Sequence, residues 1–158
     1  MLDVTQLREL IINPAITDLQ MYSINAAELL IFTCAVESEG GTYLHQIKGP
    51  AVGIYQMEPT TYNDLWVNYI LTKSEISTML FHNFDVGRMP SEDRLIYDLR
   101  YATAMARLFY RRIPEALPDA KDTDAIWKYY KAHWNTFAGK AEYHTSVNAY
   151  HRFINRES

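Results

Sequence analysis

The sequence predicts an all-α domain that is interrupted by one irregular or β-hairpin excursion. Over most of the chain, apolar residues recur every three or four positions, which is the spacing of an amphipathic helix. Proline and glycine fall singly or in pairs between these segments, where they mark the ends of elements. Residues 42–55 lack the helical spacing and combine β-forming residues with two glycines and a proline. No repeat or linker divides the 158 residues, so we expect one domain spanning 1–158.

Two helices are predicted before the excursion, a short one near VTQLRELII and a longer one at AAELLIFTCAVE. Asn25 and Glu28 have the three-residue spacing of a capping box, which predicts where the longer helix begins. Because this helix is apolar nearly all round, we expect it to be buried. It should end at Glu37 or Ser38, since the pair Gly40–Gly41 supplies backbone at which helices stop.

The remaining helices follow the excursion. TYLHQIKGPAVGIY (42–55) is expected to be a loop with at most a short hairpin, and Pro59 then suits the first turn of a helix through TTYNDLWVNYIL. Further helices are predicted around SEISTMLFH, from Ser91 to about Arg112, and in the segments DTDAIWKYYKAHW and EYHTSVNAYHRFI. The helix from Ser91 is expected to end before Pro114.

Composition and charge exclude several classes of protein. The formal net charge is −4 and no basic tract is present, so we expect no nucleic-acid partner. The single cysteine, Cys34, lies in the apolar run LLIFTCAV and is expected to be a buried thiol. The histidines have no metal-site spacing such as His-Glu-x-x-His, so neither a metal nor a cofactor is expected. No apolar run reaches the roughly 20 residues that cross a bilayer, which predicts no membrane insertion.

Glu37 is the candidate catalytic residue. A carboxylate at the C-terminal end of a helix faces the negative pole of the helix dipole, and burial also disfavours its charge. Both effects favour the protonated form, which a general acid needs in order to protonate a glycosidic oxygen. The alternative is that Glu37 is a solvated helix terminus beside glycines.

Two segments, ESEGG (37–41) and GPAVGIYQMEPTT (49–61), carry a family resemblance. They resemble the lytic transglycosylases and the related goose-type lysozymes, whose pattern is Glu-Ser, a variable loop, then Gly-Ala-x-Gly-Leu-Met-Gln-x-x-Pro-x-Thr. The matching positions are Glu37, Ser38, Gly53, Gln56, Pro59 and Thr61. Tyr55 stands where methionine is usual in the family. A later Tyr-Asn pair of the family resembles AHWNTFAGKA, with Trp134 at the tyrosine position and Asn135 on the asparagine.

The resemblance implies a lysozyme-like, transglycosylase-type fold and cleavage of the β-1,4 bond between N-acetylmuramic acid and N-acetylglucosamine in peptidoglycan. It implies that Glu37 acts first as acid and then as base, while the 6-hydroxyl of muramic acid attacks and leaves a 1,6-anhydro product. The small size and the absence of a signal peptide or accessory module favour a bacteriophage member of the family. We expect a monomer made in the host cytoplasm without a signal peptide, which acts on the bacterial cell wall in the periplasm or within a phage virion.

The predicted substrate-binding residues come from the family pattern and from residue type. Gln56 has a donor and acceptors with which to fix an N-acetyl group or the acid itself, and Gly53 would let the backbone approach a sugar. The rings of Tyr55, Tyr130 and Trp134 offer flat faces to sugars, although any single aromatic residue of this chain is expected more often in the core or on the surface than in a sugar subsite. We expect loop 42–55 to form one wall of a cleft in which Gln56 faces Glu37. The full set is Ser38, Gly53, Tyr55, Gln56, Glu58, Tyr130, Trp134 and Asn135.

Glu58 leaves the outcome of the reaction open. Hydrolysis with inversion needs a second carboxylate roughly 6.5–9.5 Å from the first, to activate water. Glu58 either supplies it, which would make the protein a hydrolytic muramidase (endolysin), or caps the next helix, which we favour. A non-catalytic virion or glycan-binding protein is a further alternative, because a cationic enzyme would be steered better to anionic cell walls. A chitinase-like enzyme on the same scaffold is the third.

Overall fold

The chain folds as an all-α domain, as predicted. A computed structural model describes residues 1–136 and 139–155. Its helices are α1 (Val4–Gln6), α2 (Asn13–Asp18), α3 (Ile24–Ser38), α4 (Pro59–Asn68), α5 (Ser74–Phe84), α6 (Arg94–Tyr97), α7 (Leu99–Arg111), α8 (Thr123–Tyr130) and α9 (Tyr143–Ile154). Two π-helical turns, Leu7–Ile12 and Lys131–Asn135, and a 3-10 turn, Ile70–Thr72, join neighbouring helices. None of the helices in the described ranges is long and apolar enough to cross a membrane.

Helix α3 is the central element and packs against α7, α8 and α9. Its side chains are buried from Ala26 through Ala35, as expected of a helix that is apolar all round. Cys34 is among them, which confirms the buried thiol. The helix ends at Ser38, as predicted, and Glu39 takes the left-handed conformation just beyond it.

The predicted capping box at the start of α3 is wrong. Ser23 is the cap, because its hydroxyl accepts a hydrogen bond from the Ala26 amide at 3.0 Å. The Asn25 side chain instead accepts from the amide of Ala120 at 2.8 Å. Glu28 is buried, where it binds Arg8 and Tyr150. The spacing matches a capping box, but both side chains instead form hydrogen bonds with residues outside the helix.

The excursion after α3 is a loop with isolated antiparallel bridges, which agrees with the prediction. Val52 pairs with both His45 and Met57, and the Val52 and Met57 amides each donate to the other's carbonyl at 3.0 Å. Helix α4 then begins at Pro59, as expected. The loop is therefore held to the start of α4 on the side of the molecule where α3 ends.

The single helix predicted from Ser91 to Arg112 is instead two helices. The chain is extended at Asp98, between α6 and α7, with φ −109° and ψ 92°. The Asp98 carboxylate caps α7 by accepting from the Tyr101 amide at 2.9 Å, and it also binds Arg94. Aspartate favours a helix N-cap over a helix interior, which accounts for the break.

The N-terminal helical region is longer than predicted. It begins after Asp3, whose side chain accepts from the Gln6 amide at 2.9 Å, and continues through a π turn to Asp18. Pro14 has no amide hydrogen to donate, and the chain widens into the π turn just before it.

Candidate active site

A groove with a volume of about 1100 Å³ opens beside the C-terminal end of α3. Its walls come from that end of α3, the loop after it, α4, α7, the π turn after α8, and α9. Six of the nine site residues predicted from the sequence line it together: Glu37, Gln56, Glu58, Tyr130, Trp134 and Asn135. Because the groove brings these six residues together, it is the candidate active site.

Glu37 lies in this groove, partly buried at the end of α3. Its Oε1 atom accepts a hydrogen bond from the Tyr130 hydroxyl at 2.5 Å. Burial raises the pKa of Glu37 to about 7, although the hydrogen bond from Tyr130 lowers it. A carboxyl group with this pKa is present in both forms near neutral pH, so it can donate a proton and later accept one.

Tyr130 is fully buried, and it contacts Glu37 through its hydroxyl group. Its ring packs edge-on against Phe32, with centroids 5.5 Å apart. Burial and then the Glu37 carboxylate raise the pKa of Tyr130, which therefore stays protonated as a hydrogen-bond donor. The expectation that Tyr130 presents a flat face to a sugar is corrected, because packing in the core covers its ring.

Asn135 supports Tyr130 from the π turn that follows α8. A hydrogen bond from the Asn135 side chain lowers the pKa of Tyr130. The amide oxygen of Asn135 accepts from the Lys131 ammonium at 2.8 Å, and the same ammonium donates to the carbonyl of Gly139 at 2.9 Å. Lys131 thus anchors Asn135 in the π turn, while the hydroxyl of Tyr130 donates to Glu37.

Gln56 holds the loop wall of the groove in shape. Its side-chain nitrogen donates to the Gly53 carbonyl at 2.9 Å and to the Tyr43 carbonyl at 3.4 Å. Its backbone is in the left-handed region, with φ 49°. In the described residues no hydrogen bond joins Gln56 to Glu37, although both line the groove.

Three residues predicted to bind substrate lie outside the groove and hold the loop instead. Ser38 is fully buried, with its Oγ 2.6 Å from the Ile54 carbonyl oxygen. Tyr55 is 2% exposed and its hydroxyl pairs with that of Thr103 at 3.0 Å. Gly53 has φ +78°, and a Cβ there would lie 2.4 Å from the Leu95 carbonyl oxygen. The motif residues 38, 53 and 55 therefore pack the loop onto the core, because their side chains or backbone point inward.

Glu58 and Trp134 line the groove from two different elements, the N-cap of α4 and the π turn after α8. Glu58 is exposed at the N-cap position of α4, yet its side chain makes no capping hydrogen bond. The predicted capping role is thus limited to its backbone carbonyl, which accepts from the Tyr62 amide at 2.9 Å. Trp134 is half-buried against Phe109, with ring centroids 4.7 Å apart.

A charged pair on the groove wall is not evident from the sequence. The Arg112 Nη1 atom lies 2.7 Å from Oδ2 of Asp64, and both residues line the groove. The pair joins the middle of α4 to the C-cap of α7, 48 positions apart. A basic residue at a helix C-terminus is the only local signal, and dipole compensation explains that equally well.

Comparisons of the chain with family models, with curated proteins and with solved structures give no match. The family resemblance therefore rests on the motif residues themselves. In the ranges 1–136 and 139–155, no group of three or more His, Cys, Asp or Glu side chains is placed to hold a metal ion.

Proposed function

We propose that this protein cleaves the β-1,4 bond between N-acetylmuramic acid and N-acetylglucosamine of peptidoglycan, on a lysozyme-like fold, as a lytic transglycosylase. The observation that carries the proposal is the Glu37 carboxyl, which lies in the groove with a pKa raised to about 7. A general acid for glycoside cleavage requires this combination of access and a raised pKa.

The reaction follows from one carboxyl group that changes its role. Protonated Glu37 gives its proton to the glycosidic oxygen as the bond from that oxygen to C1 of muramic acid breaks. The resulting carboxylate then takes the proton of the muramic acid 6-hydroxyl as O6 bonds to C1, which closes the 1,6-anhydro ring. The proton count balances and no water is consumed. The Tyr130 hydroxyl stabilises the carboxylate that exists between the two steps.

The size of the groove suits a polymer. At about 1100 Å³ it lies above the range of roughly 300–1,000 Å³ that is usual for small-molecule pockets. Its walls mix aromatic and charged side chains, among them Trp134, Arg112 and Glu58. A strand of several sugars could therefore contact both sides of Glu37.

Glu37→Gln is the direct test, because it keeps the shape of the side chain and removes the proton. We expect loss of activity by several orders of magnitude on purified peptidoglycan, measured by turbidity and by zymography. Glu39→Gln is the matched control: Glu39 is exposed on the same groove two residues away, and its variant should keep most activity. Substantial activity in folded Glu37→Gln protein would refute the role of Glu37, and an inactive wild-type protein that still binds glycan would indicate a non-catalytic module.

A hydrolytic muramidase is the second candidate, and one observation favours it. The Glu58 side chain lines the same groove as Glu37 and is not occupied in capping α4. A carboxylate in that position could activate water on the other face of the sugar. Mass analysis of the products distinguishes the two reactions, since hydrolysis adds one water for each bond cut.

A further inference from the structure

Four side chains form a continuous wall of the groove that we call the arginine wall: Trp134, Phe109, Arg112 and Asp64. The Trp134 and Phe109 rings meet edge to face at 4.7 Å between centroids. The guanidinium carbon of Arg112 lies 4.9 Å from the centre of the Phe109 ring, on its face. One guanidinium nitrogen of Arg112 reaches Asp64. Each member therefore fixes its neighbour.

Arg112 is held in one orientation, yet only one of its guanidinium nitrogens donates a hydrogen bond within the described residues. Its Nη1 donates to Asp64 at 2.7 Å, and the side chain is still 26% exposed. Within residues 1–136 and 139–155, Nε and Nη2 make no hydrogen bond to the protein. These two nitrogens share the edge of the guanidinium that binds a carboxylate side by side.

Asp64 fixes the orientation of Arg112. Its Oδ1 accepts from the Asn68 side chain at 2.7 Å, while Oδ2 accepts from Arg112. The hydrogen bond from Asn68, followed by that from Arg112, lowers the pKa of Asp64, so it stays ionised at neutral pH. An ionised Asp64 that accepts two hydrogen bonds has no proton to donate as an acid. Its contribution to the groove is to orient the guanidinium of Arg112.

We propose that the free edge of Arg112 binds a carboxylate on the 3-substituent of N-acetylmuramic acid, and so selects peptidoglycan over uncharged glycans. This inference rests on the proposed function, because it assigns a substituent of that substrate to one wall of the same groove. The carboxylate has two sources: the peptide stem, or the free lactyl group of a strand that has lost its stems. Chitin-type strands carry neither, and would find only the aromatic part of the wall.

Position in the fold separates Arg112 from an ordinary helix-end cation. Arg111 is the last residue of α7, is exposed, and is not part of the groove. It experiences the same helix terminus, but among the described residues it has neither the aromatic face nor the acidic partner that Arg112 has. Arg111 therefore serves as a matched control with the same charge and the same substitution.

The test measures binding in a Glu37→Gln background, where ligand is not consumed. Isothermal titration calorimetry would compare three ligands: a peptidoglycan tetrasaccharide with peptide stems, the same tetrasaccharide without stems, and an N-acetylglucosamine tetramer. Arg112→Gln should weaken binding of the tetrasaccharide whose carboxylate Arg112 contacts by roughly 10- to 100-fold. It should leave binding of the N-acetylglucosamine tetramer unchanged. Arg112→Lys keeps the charge without the paired nitrogens, so it should lose most of the same affinity. Arg111→Gln should bind all three ligands as the parent does.

The two tetrasaccharides identify the source of the carboxylate, because stem attachment converts the lactyl carboxylate into an amide. An affinity loss confined to the stem-bearing ligand assigns the stem, and a loss confined to the other ligand assigns the lactyl group. Equal weakening of all three ligands, or no weakening, overturns the role of Arg112 even if the wild-type protein cuts peptidoglycan. Binding that depends on Arg112 without any cutting would refute the proposed function alone. Failure to bind every ligand and failure to cut would refute both.

Discussion

The Tyr130 hydroxyl donates a hydrogen bond of 2.5 Å to Oε1 of Glu37, across 93 positions of sequence. Burial and this hydrogen bond act on the acid in opposite directions. Burial raises the pKa of Glu37, whereas a donor aimed at the carboxylate stabilises the charged form and lowers it. The balance places the pKa at about 7, where one group can serve both steps of a transglycosylase reaction.

Tyr130→Phe should move the pH dependence of activity upward. Without the donor, the pKa of Glu37 rises further, so the loss of activity with increasing pH should occur at higher pH than in the wild type. The rate should also fall by roughly 10- to 100-fold, since the carboxyl is less well oriented. A pH–rate profile measures both effects.

Tyr129→Phe is the control for that experiment. Tyr129 is the neighbouring residue, and its hydroxyl donates to the Glu115 carbonyl at 3.2 Å rather than to Glu37. Its profile should match that of the wild type. An alkaline limb that stays in place or moves downward in Tyr130→Phe would contradict the role of the hydrogen bond.

Glu37→Gln should be more stable than the wild type in alkaline solution. The folded-state pKa of about 7 exceeds the ordinary glutamate pKa of 4.5, so the folded protein binds the proton more tightly than the unfolded chain does. Stability from this group is therefore full below about pH 4.5 and is lost as the pH rises through about 7. Removing the charge should gain at most about 3 kcal/mol at pH 8 and close to nothing at pH 4.5.

Denaturant unfolding of the two proteins at several pH values measures that difference, and other titrating groups cancel in the comparison. If the difference in the free energy of unfolding between the two proteins does not change with pH, Glu37 is not held in a site that disfavours its charge.

Glu58→Gln should retain most activity and still yield anhydromuropeptides. In the proposed reaction no second carboxylate takes part, and Glu58 contributes only its backbone carbonyl to the start of α4. Mass spectrometry of the released fragments supplies the measurement. A variant as inactive as Glu37→Gln, together with wild-type products that carry one added water per cut, would make the protein a muramidase.

Gly53→Ala should destabilise the fold by about 1–3 kcal/mol, because the position requires positive φ and the added Cβ meets the Leu95 backbone at 2.4 Å. Gly87→Ala is a suitable control, since the nearest atoms to its Cβ belong to the Phe81 ring at 4.0 Å. Thermal or denaturant unfolding of both variants tests the difference. A stable Gly53→Ala protein with weakened glycan binding would return Gly53 to the substrate-contacting set.

Local patterns were sufficient to predict the helical character of the chain and several boundaries. The all-round apolar run of α3 identified the buried helix, and the glycines after Glu39 marked its end. Pro59 marked the beginning of α4. These features depend on residues within a few positions of one another, so the sequence contains them without reference to the rest of the molecule.

The sequence by itself determined that a carboxyl group stands at the end of a buried helix, followed by a segment without helical spacing. Only the tertiary structure decided which side chains meet that carboxyl. Ser38 matches the motif as well as Gln56 does, yet its side chain points into the core, because a match in residue type does not fix the direction of a side chain. Tyr130 reaches Glu37, and Arg112 reaches Asp64, because α8 and α7 pack against the elements that carry the acids, and such contacts between distant positions depend on the packing of the whole domain.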